Sequence, residues 1–271
     1  MRSLLKSILK PLFYYLKSRK HRVYHRLSSA YSADERYTKR TMRILDYTIE
    51  ASDSISVVHQ FKEMFIDEAY KFKSSKKAPL IYDCGANIGL SCLYFKTLYP
   101  NCTIKAFEAD PQIYSLLKKN IENNVGSKDI ELINKAVWID DGGVEFNQEG
   151  ADGGTVRTDG LENGRTLKIE SIRLKNLLEN ERPDFLKMDI EGAEMDVLID
   201  CGGVLSNVQT IFVEYHSYAG KPQKLNILLS LFQENGFRYF IQSPIEFKSP
   251  FDLPWVGLDF DLQLNIYCYR L

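Results

Sequence analysis

The chain has 271 residues, 44% of them hydrophobic and 26% charged, with a net charge of −1; this is the profile of a folded domain with a sizeable core. Near-neutrality gives no reason to expect a nucleic-acid partner, and no run approaches the roughly 20 apolar residues that span a bilayer. The five cysteines (Cys84, Cys92, Cys102, Cys201, Cys268) are odd in number and dispersed, without metal-like pairing, which argues for a reducing compartment. With no signal peptide in view, the expected location is cytoplasmic.

The charge is unevenly placed. Residues 1–43 hold twelve Lys or Arg against Asp34 and Glu35, a local net of +10, so the remainder carries −11. Within this arm Leu4, Leu5, Ile8, Leu9, Leu12, Phe13 and Leu16 recur at helical spacing, which predicts a basic amphipathic helix. Such a helix either lies on the anionic inner face of a membrane, through residues 1–20, or packs on the main domain or a partner. The chain is therefore divided into an N-terminal extension, 1–45, and a main domain, 46–271.

In chain order the main domain begins with a helix over Ser56–Phe72 and a polar connection to Pro79. A strand–turn–helix rhythm follows. Strands are predicted at Leu80–Cys84, Thr103–Phe107, Ile130–Val137, Phe185–Asp189, Thr210–Glu214, Phe237–Ile241 and Leu262–Tyr269. Helices are predicted at Leu90–Leu98, Pro111–Asn123, Ser171–Asn180, Ala193–Cys201 and Leu225–Asn235. A Gly-rich, hairpin-forming excursion, Asp140–Thr166, breaks the alternation. The alternation predicts an α/β fold with a mostly parallel sheet covered by helices on both faces.

In such sheets ligands bind beyond the carboxyl ends of the strands. After the first strand stands Asp83-x-Gly85-x-Asn87-x-Gly89. Its glycines let backbone approach a ligand, Asn tolerates a left-handed turn, and the helix that follows offers free N–H groups. The spacing is neither the dinucleotide G-x-G-x-x-G nor a P-loop. Glu108 lies 19 residues beyond Gly89 at the second strand's tip, where an acid can accept hydrogen bonds from a ribose diol. After the fourth strand, Asp189, Glu191 and Glu194 surround a Gly turn. Asp189 and Glu191 are candidate site residues, able to orient a sugar's hydroxyls, position a cofactor's amino group or hold Mg²⁺. Glu194 is placed equally well as a helix-start residue. After the fifth strand come Glu214 and His216; His216 is the candidate general base, oriented by Glu214 or Asp189.

Four blocks resemble one known family. Asp83-Cys-Gly-Ala-Asn-Ile-Gly89, Phe107-Glu-Ala-Asp-Pro111, Asn134-Lys-Ala-Val-Trp138 and Lys187-Met-Asp-Ile-Glu-Gly-Ala-Glu194 are similar, in this order, to the FkbM family of class I methyltransferases. The resemblance runs from about Tyr47 to the C-terminus. It implies a Rossmann-like sheet of seven strands with the last antiparallel, S-adenosylmethionine as cofactor, and methylation of hydroxyls on sugars or related natural products. It also implies that Gly85, Asn87 and Gly89 line the methionine end, that Glu108 holds the ribose, and that Ala136 and Val137 lie near the adenine. Asp83 and Asp189 complete the expected cofactor set, His216 and Asp189 the catalytic pair, and Glu191 and Glu214 the acceptor or metal side. The basic arm inherits nothing from the resemblance; its charge suggests a lipid-linked acceptor, such as a surface-glycan precursor. The alternatives are an NAD-dependent enzyme on a similar sheet and a non-catalytic, membrane-associated interaction protein.

Overall fold

The computed structural model describes residues 18–148, 155–156, 165–218, 221–244 and 260–271. The stripe from Leu4 to Leu16 lies outside them. The described chain opens with helix α1 (Arg19–Tyr31), the antiparallel hairpin β1 (Arg40–Ile44) and β2 (Tyr47–Ala51), and helix α2 (Ser54–Phe61). The boundary drawn at residue 45 passes through this hairpin. Val23 and Leu27 of α1 are buried in the same core cluster as the sheet, so this part of the basic arm is packed onto the domain. Two asparagines of a later helix edge the hairpin. Asn124 accepts from Thr48 N at 2.8 Å and donates to Thr48 O at 2.9 Å, and Asn120 does the same with Glu50 at 2.8 and 3.0 Å. Side-chain amides thus take the place of a third strand on β2.

Helix α2 begins where the Asp53 carboxylate accepts from Ile55 N, a side-chain N-cap. It closes in a π-helical turn, Lys62–Ile66, and so stops short of the predicted Phe72. Beyond it the chain turns so that Tyr70 packs on Phe212, with ring centroids at 4.8 Å, and Phe72 on Phe185 at 4.7 Å. Burying both rings against the sheet outweighs continuing an exposed helix.

The core follows as β3 (Leu80–Cys84), α3 (Leu90–Leu98), β4 (Thr103–Phe107), α4 (Pro111–Asn124), β5 (Ile130–Ile133) and β6 (Ala136–Trp138). Then come β7 (Val144–Gln148), β8 (Thr155–Val156), β9 (Arg165–Ile169), β10 (Ser171–Arg173), α5 (Leu174–Asn180), β11 (Phe185–Met188) and α6 (Glu194–Cys201). The chain ends with β12 (Thr210–Tyr218), α7 (Leu225–Glu234), β13 (Arg238–Gln242) and β14 (Phe260–Tyr269). Seven strands form one sheet in the order β13-β14-β12-β11-β3-β4-β5. The last strand, β14, is antiparallel to both neighbours, and the remaining pairings are parallel.

Side chains alternate across a strand, and the alternation sets the layers. Ile81, Ile104, Phe185 and Phe212 face a cluster with α1 to α4, whereas Tyr82, Cys84, Leu186, Met188 and Val213 face one with α5 to α7. This is the doubly covered Rossmann-like sheet expected. Strand order reverses between β3 and β11, which places a crevice at their carboxyl ends.

Three predicted elements change at this crevice. The strand predicted over Ile130–Val137 breaks at Asn134, whose Nδ2 donates to Glu108 O at 2.8 Å and Ala109 O at 3.2 Å; Ala136–Trp138 then leaves to pair with β10. Ser171–Arg173, read as helix, is consequently strand. β12 runs on to Tyr218 because β14 pairs along it through that residue, so His216 sits inside a strand rather than in a loop. The Gly-rich excursion forms the antiparallel sheet β8-β7-β9; its residues 149–154 and 157–164 lie outside the described ones.

Candidate active site

The glycine turn closes β3 onto α3 through left-handed backbone. Gly85 has φ +84°, Asn87 +48° and Gly89 +92°. A Cβ on Gly85 would stand 1.8 Å from Asp189 O, so this position admits glycine alone. Gly85 N and Ala86 N both donate to Phe107 O, at 3.0 and 2.9 Å, which ties the turn to the tip of β4. There Glu108 accepts from Asn87 N through Oε2 and from Asp110 N through Oε1, each at 2.9 Å. Each oxygen keeps a second lone pair toward the cavity. Burial pushes the Glu108 carboxyl up to about 7, against the two backbone N–H groups that lower it.

The carboxyl ends of β11 and β12 carry a charged cluster. Lys187 Nζ, almost fully buried, lies 2.9 Å from Asp189 Oδ2, 3.6 Å from Asp83 Oδ1 and 2.8 Å from Gly85 O. Burial lowers its pKa, but Asp189 and Asp83 reverse this and hold the ammonium above its ordinary value. The turn Asp189–Gly192 is braced by Glu194, which accepts from Ile190 N and Gly192 N at 3.0 Å; Glu191 within it has φ +55°, a strained conformation for a non-glycine residue. His216 lies among three carboxylates. Nδ1 is 3.5 Å from Glu194 Oε1, and Nε2 is 3.8 Å from both Glu191 Oε2 and Glu214 Oε1. Burial lowers the imidazole's pKa, but Glu194, then Glu191 and Glu214, outweigh it and push it up to about 10. Burial first, then the charge of Asp189, raises Glu191 well above the usual range and Glu214 to about 8.

One cavity of about 950 Å³ joins these two groups. Gly85, Asn87, Glu108, Ala136, Val137, Asp189, Glu191, Glu214 and His216, all candidates from the sequence, line it. Asp83 and Gly89 do not line it. Asp83 is fully buried beneath the turn and accepts from Ser91 Oγ at 2.5 Å, and Gly89 packs on Leu117 and Ile121 of α4.

Two of the expectations concern the general base and a metal ion. The three carboxylates around His216 favour its protonated form, which leaves Glu191 and Glu214 beside it as alternative proton acceptors. Among the described residues, no group of three or more His, Cys, Asp or Glu side chains is arranged to hold a metal ion; the carboxylates gather around Lys187 and His216. Sequence reasoning missed Lys187, whose buried ammonium was hidden in an ordinary strand pattern. It also missed Glu63, Gln263 and Asn265, which line the same cavity from opposite ends of the chain.

Comparison with known proteins gives the family. The model of the methyltransferase FkbM domain matches residues 83–239. This chain belongs to the FkbM methyltransferase family. It is 30% identical over 180 residues to methyltransferase 1 of Beauveria bassiana, covering 56% of this chain and 71% of that protein. It is 29% identical over 180 residues to methyltransferase sdnD of Sordaria araneosa, covering 51% and 66%. It is 24% identical over 159 residues to hexuronic acid methyltransferase AglP of Haloferax volcanii, covering 58% and 64%. The matched FkbM stretch contains the glycine turn, Glu108, Ala136, Val137 and the Lys187–Glu194 block. Glu63, Gln242, Gln263, Asn265 and Tyr267 lie outside it, so the FkbM cavity has one wall that the family match does not cover.

Proposed function

We propose that this cavity is the active site of an S-adenosylmethionine-dependent O-methyltransferase that methylates a sugar hydroxyl. The observation that carries this reading is the single cavity uniting Asn87, Glu108, Ala136 and Val137 with the cluster of Glu191, Glu214 and His216. The first group fits a nucleoside: lone pairs of Glu108 for a diol, and the buried apolar Ala136 and Val137 for a base. The volume exceeds what a cofactor of this size alone requires. The name of the Haloferax volcanii relative supplies the sugar as acceptor class.

When bound, S-adenosylmethionine supplies a sulfonium methyl group for in-line displacement. The chain's own work is then alignment, exclusion of water and proton removal. Lys187 fixes Asp189 and the Gly85 carbonyl in one arrangement. Glu191 and Glu214 flank the His216 ring and are the groups able to take the acceptor's proton; a carboxylate with a pKa near the working pH is suited to this step. His216 positions them.

Calorimetric titration with S-adenosylhomocysteine, with NADH as the control, tests the cofactor assignment. Binding of NADH alone would replace this reading with that of a dehydrogenase-like enzyme. The basic arm further suggests that the acceptor is presented at an anionic membrane, as a lipid-linked glycan would be. The association proposed is peripheral; among the described residues no helix is long and apolar enough to cross a bilayer. Equal binding to anionic liposomes with and without residues 1–20 would remove it.

A further inference from the structure

We propose that the wall formed by Glu63, Glu214, Gln263 and Asn265 is the acceptor subsite, and that it selects a sugar whose contacted groups donate hydrogen bonds and carry no negative charge. Adjacent hydroxyls of a neutral sugar, or a hydroxyl beside the ammonium of an amino sugar, meet this description; a uronate does not. The inference deepens the reading above and rests on it.

Strand register builds the wall. Glu214 pairs with Asn265 and His216 with Gln263 across β12 and β14, and directly opposed residues project from the same sheet face. The π-helical turn after α2 brings Glu63 over that face, where Asn265 Nδ2 donates to Glu63 Oε1 at 3.3 Å. The Gln263 amide donates to Glu214. All four side chains line the cavity.

The polarity of the wall defines its ligand. Asn265 is 6% exposed, its amide nitrogen is turned to Glu63, and its Oδ1 is buried without a protein partner. A buried acceptor of this kind calls for a donor. The carboxylates of Glu63 and Glu214 add further acceptors. Each already accepts one amide bond, yet burial pushes Glu63 up to about 7 and Glu214 to about 8, so the remaining lone pairs gain from a ligand that brings further donors. Lys187 and His216, which line the cavity beside this wall, are flanked by Asp189 and by Glu191, Glu194 and Glu214, and the other cations that line it, Arg36, Lys62 and Lys135, are paired with Asp53, Asp67 and Glu170. Burial and the neighbouring acids already disfavour negative charge at Glu63 and Glu214, and a carboxylate or phosphate entering here adds more of it, which is how a site rejects a competing ligand. Because Glu63, Gln263 and Asn265 fall outside residues 83–239, the subsite is set by the flanks of the chain, and its preference departs from the hexuronic acid in the name of the Haloferax volcanii relative.

The test uses the full chain saturated with S-adenosylhomocysteine and saturation-transfer NMR with methyl glycosides of glucose, glucosamine and glucuronic acid. The first two are expected to bind, and the glucuronide at least about tenfold more weakly, a margin worth roughly one well-made interaction. Glu63→Gln keeps shape and removes charge, so it should narrow the gap between glucoside and glucuronide. Asn265→Leu should weaken the glucoside by about tenfold. Unchanged S-adenosylhomocysteine affinity and a cooperative thermal transition certify that each variant is folded. Equal or tighter binding of the glucuronide overturns the proposal, as does an unaltered preference in Glu63→Gln. Absence of any glycoside signal from the cofactor-loaded chain overturns it too while leaving the cofactor assignment standing. Failure of S-adenosylhomocysteine itself to bind removes both.

Discussion

The Glu108 carboxyl shows how much one side chain is asked to do. It already accepts two backbone N–H bonds, and a ribose diol adds two donors that favour the ionised form. Raising the pH from about 6 to 8, through its pKa of about 7, is therefore expected to tighten S-adenosylhomocysteine binding by about three- to tenfold. Glu108→Gln should bind more weakly and lose this slope; an unchanged slope in calorimetry would dissociate Glu108 from the ribose. At the other end of the cavity, Glu214→Gln is expected to lower turnover by about 10²–10⁴-fold and to erase the limb of the pH–rate profile near 8, measured with the best glycoside acceptor. If the variant keeps that limb, the proton goes elsewhere. Residues of the first kind were legible in the sequence, because a left-handed turn announces itself through Gly85, Asn87 and Gly89, and an acid at a strand tip is in the expected place. Glu63 and Asn265 were not. They are 202 positions apart, and neither belongs to a local pattern that spacing could detect. His216 was found, but its charge state depends on three acids assembled only by the fold.

At the level of elements, the parallel strands and the helices between them were readable from periodicity, and α3 and β3 have the predicted limits. The errors have a common cause. Asn134 ends β5 by bonding to the β4 tip, β10 forms because β6 needs a partner, and α2 stops where Tyr70 and Phe72 reach the sheet. Each boundary is set by a tertiary contact that outweighs local propensity. The same holds for the asparagine pair of α4. Asn120 is 1% exposed and also donates to Ile88 O at 2.9 Å, so it links the N-terminal hairpin to the cofactor turn. Asn120→Leu leaves Glu50 N, Glu50 O and Ile88 O short of a partner and should destabilise the protein by about 2–4 kcal/mol, read from the denaturant midpoint. Weaker S-adenosylhomocysteine binding should accompany it; a stable variant with unchanged affinity would show that the link is dispensable.

For the molecule as a whole, the buried acids and His216 act in the same direction. Glu63, Glu108 and Glu214 have folded-state pKa values of about 7, 7 and 8, above those of an unfolded chain. In the window from their unfolded values up to these, the folded state holds the extra protons, so stability falls as pH rises. His216, at about 10, contributes stability that is fully present below its unfolded pKa and is lost as pH climbs toward 10. The thermal midpoint of the ligand-free protein is expected to drop steadily from about pH 6 to 9, with Glu214→Gln flattening part of the fall. A midpoint that rises over this range would contradict the burial of these groups.

The lacing of the N-terminal ribbon onto α4 has a practical corollary. A fragment cut to residues 83–239 would strip the covering from Phe95, Phe185 and Phe212, whose present neighbours include Tyr70 and Phe72, and would orphan both asparagine amides. Such a fragment, which also lacks β14 and most of β3, should come out of expression as aggregate rather than as a minimal enzyme, and the segment preceding the matched stretch is better regarded as part of the folding unit than as an appendage.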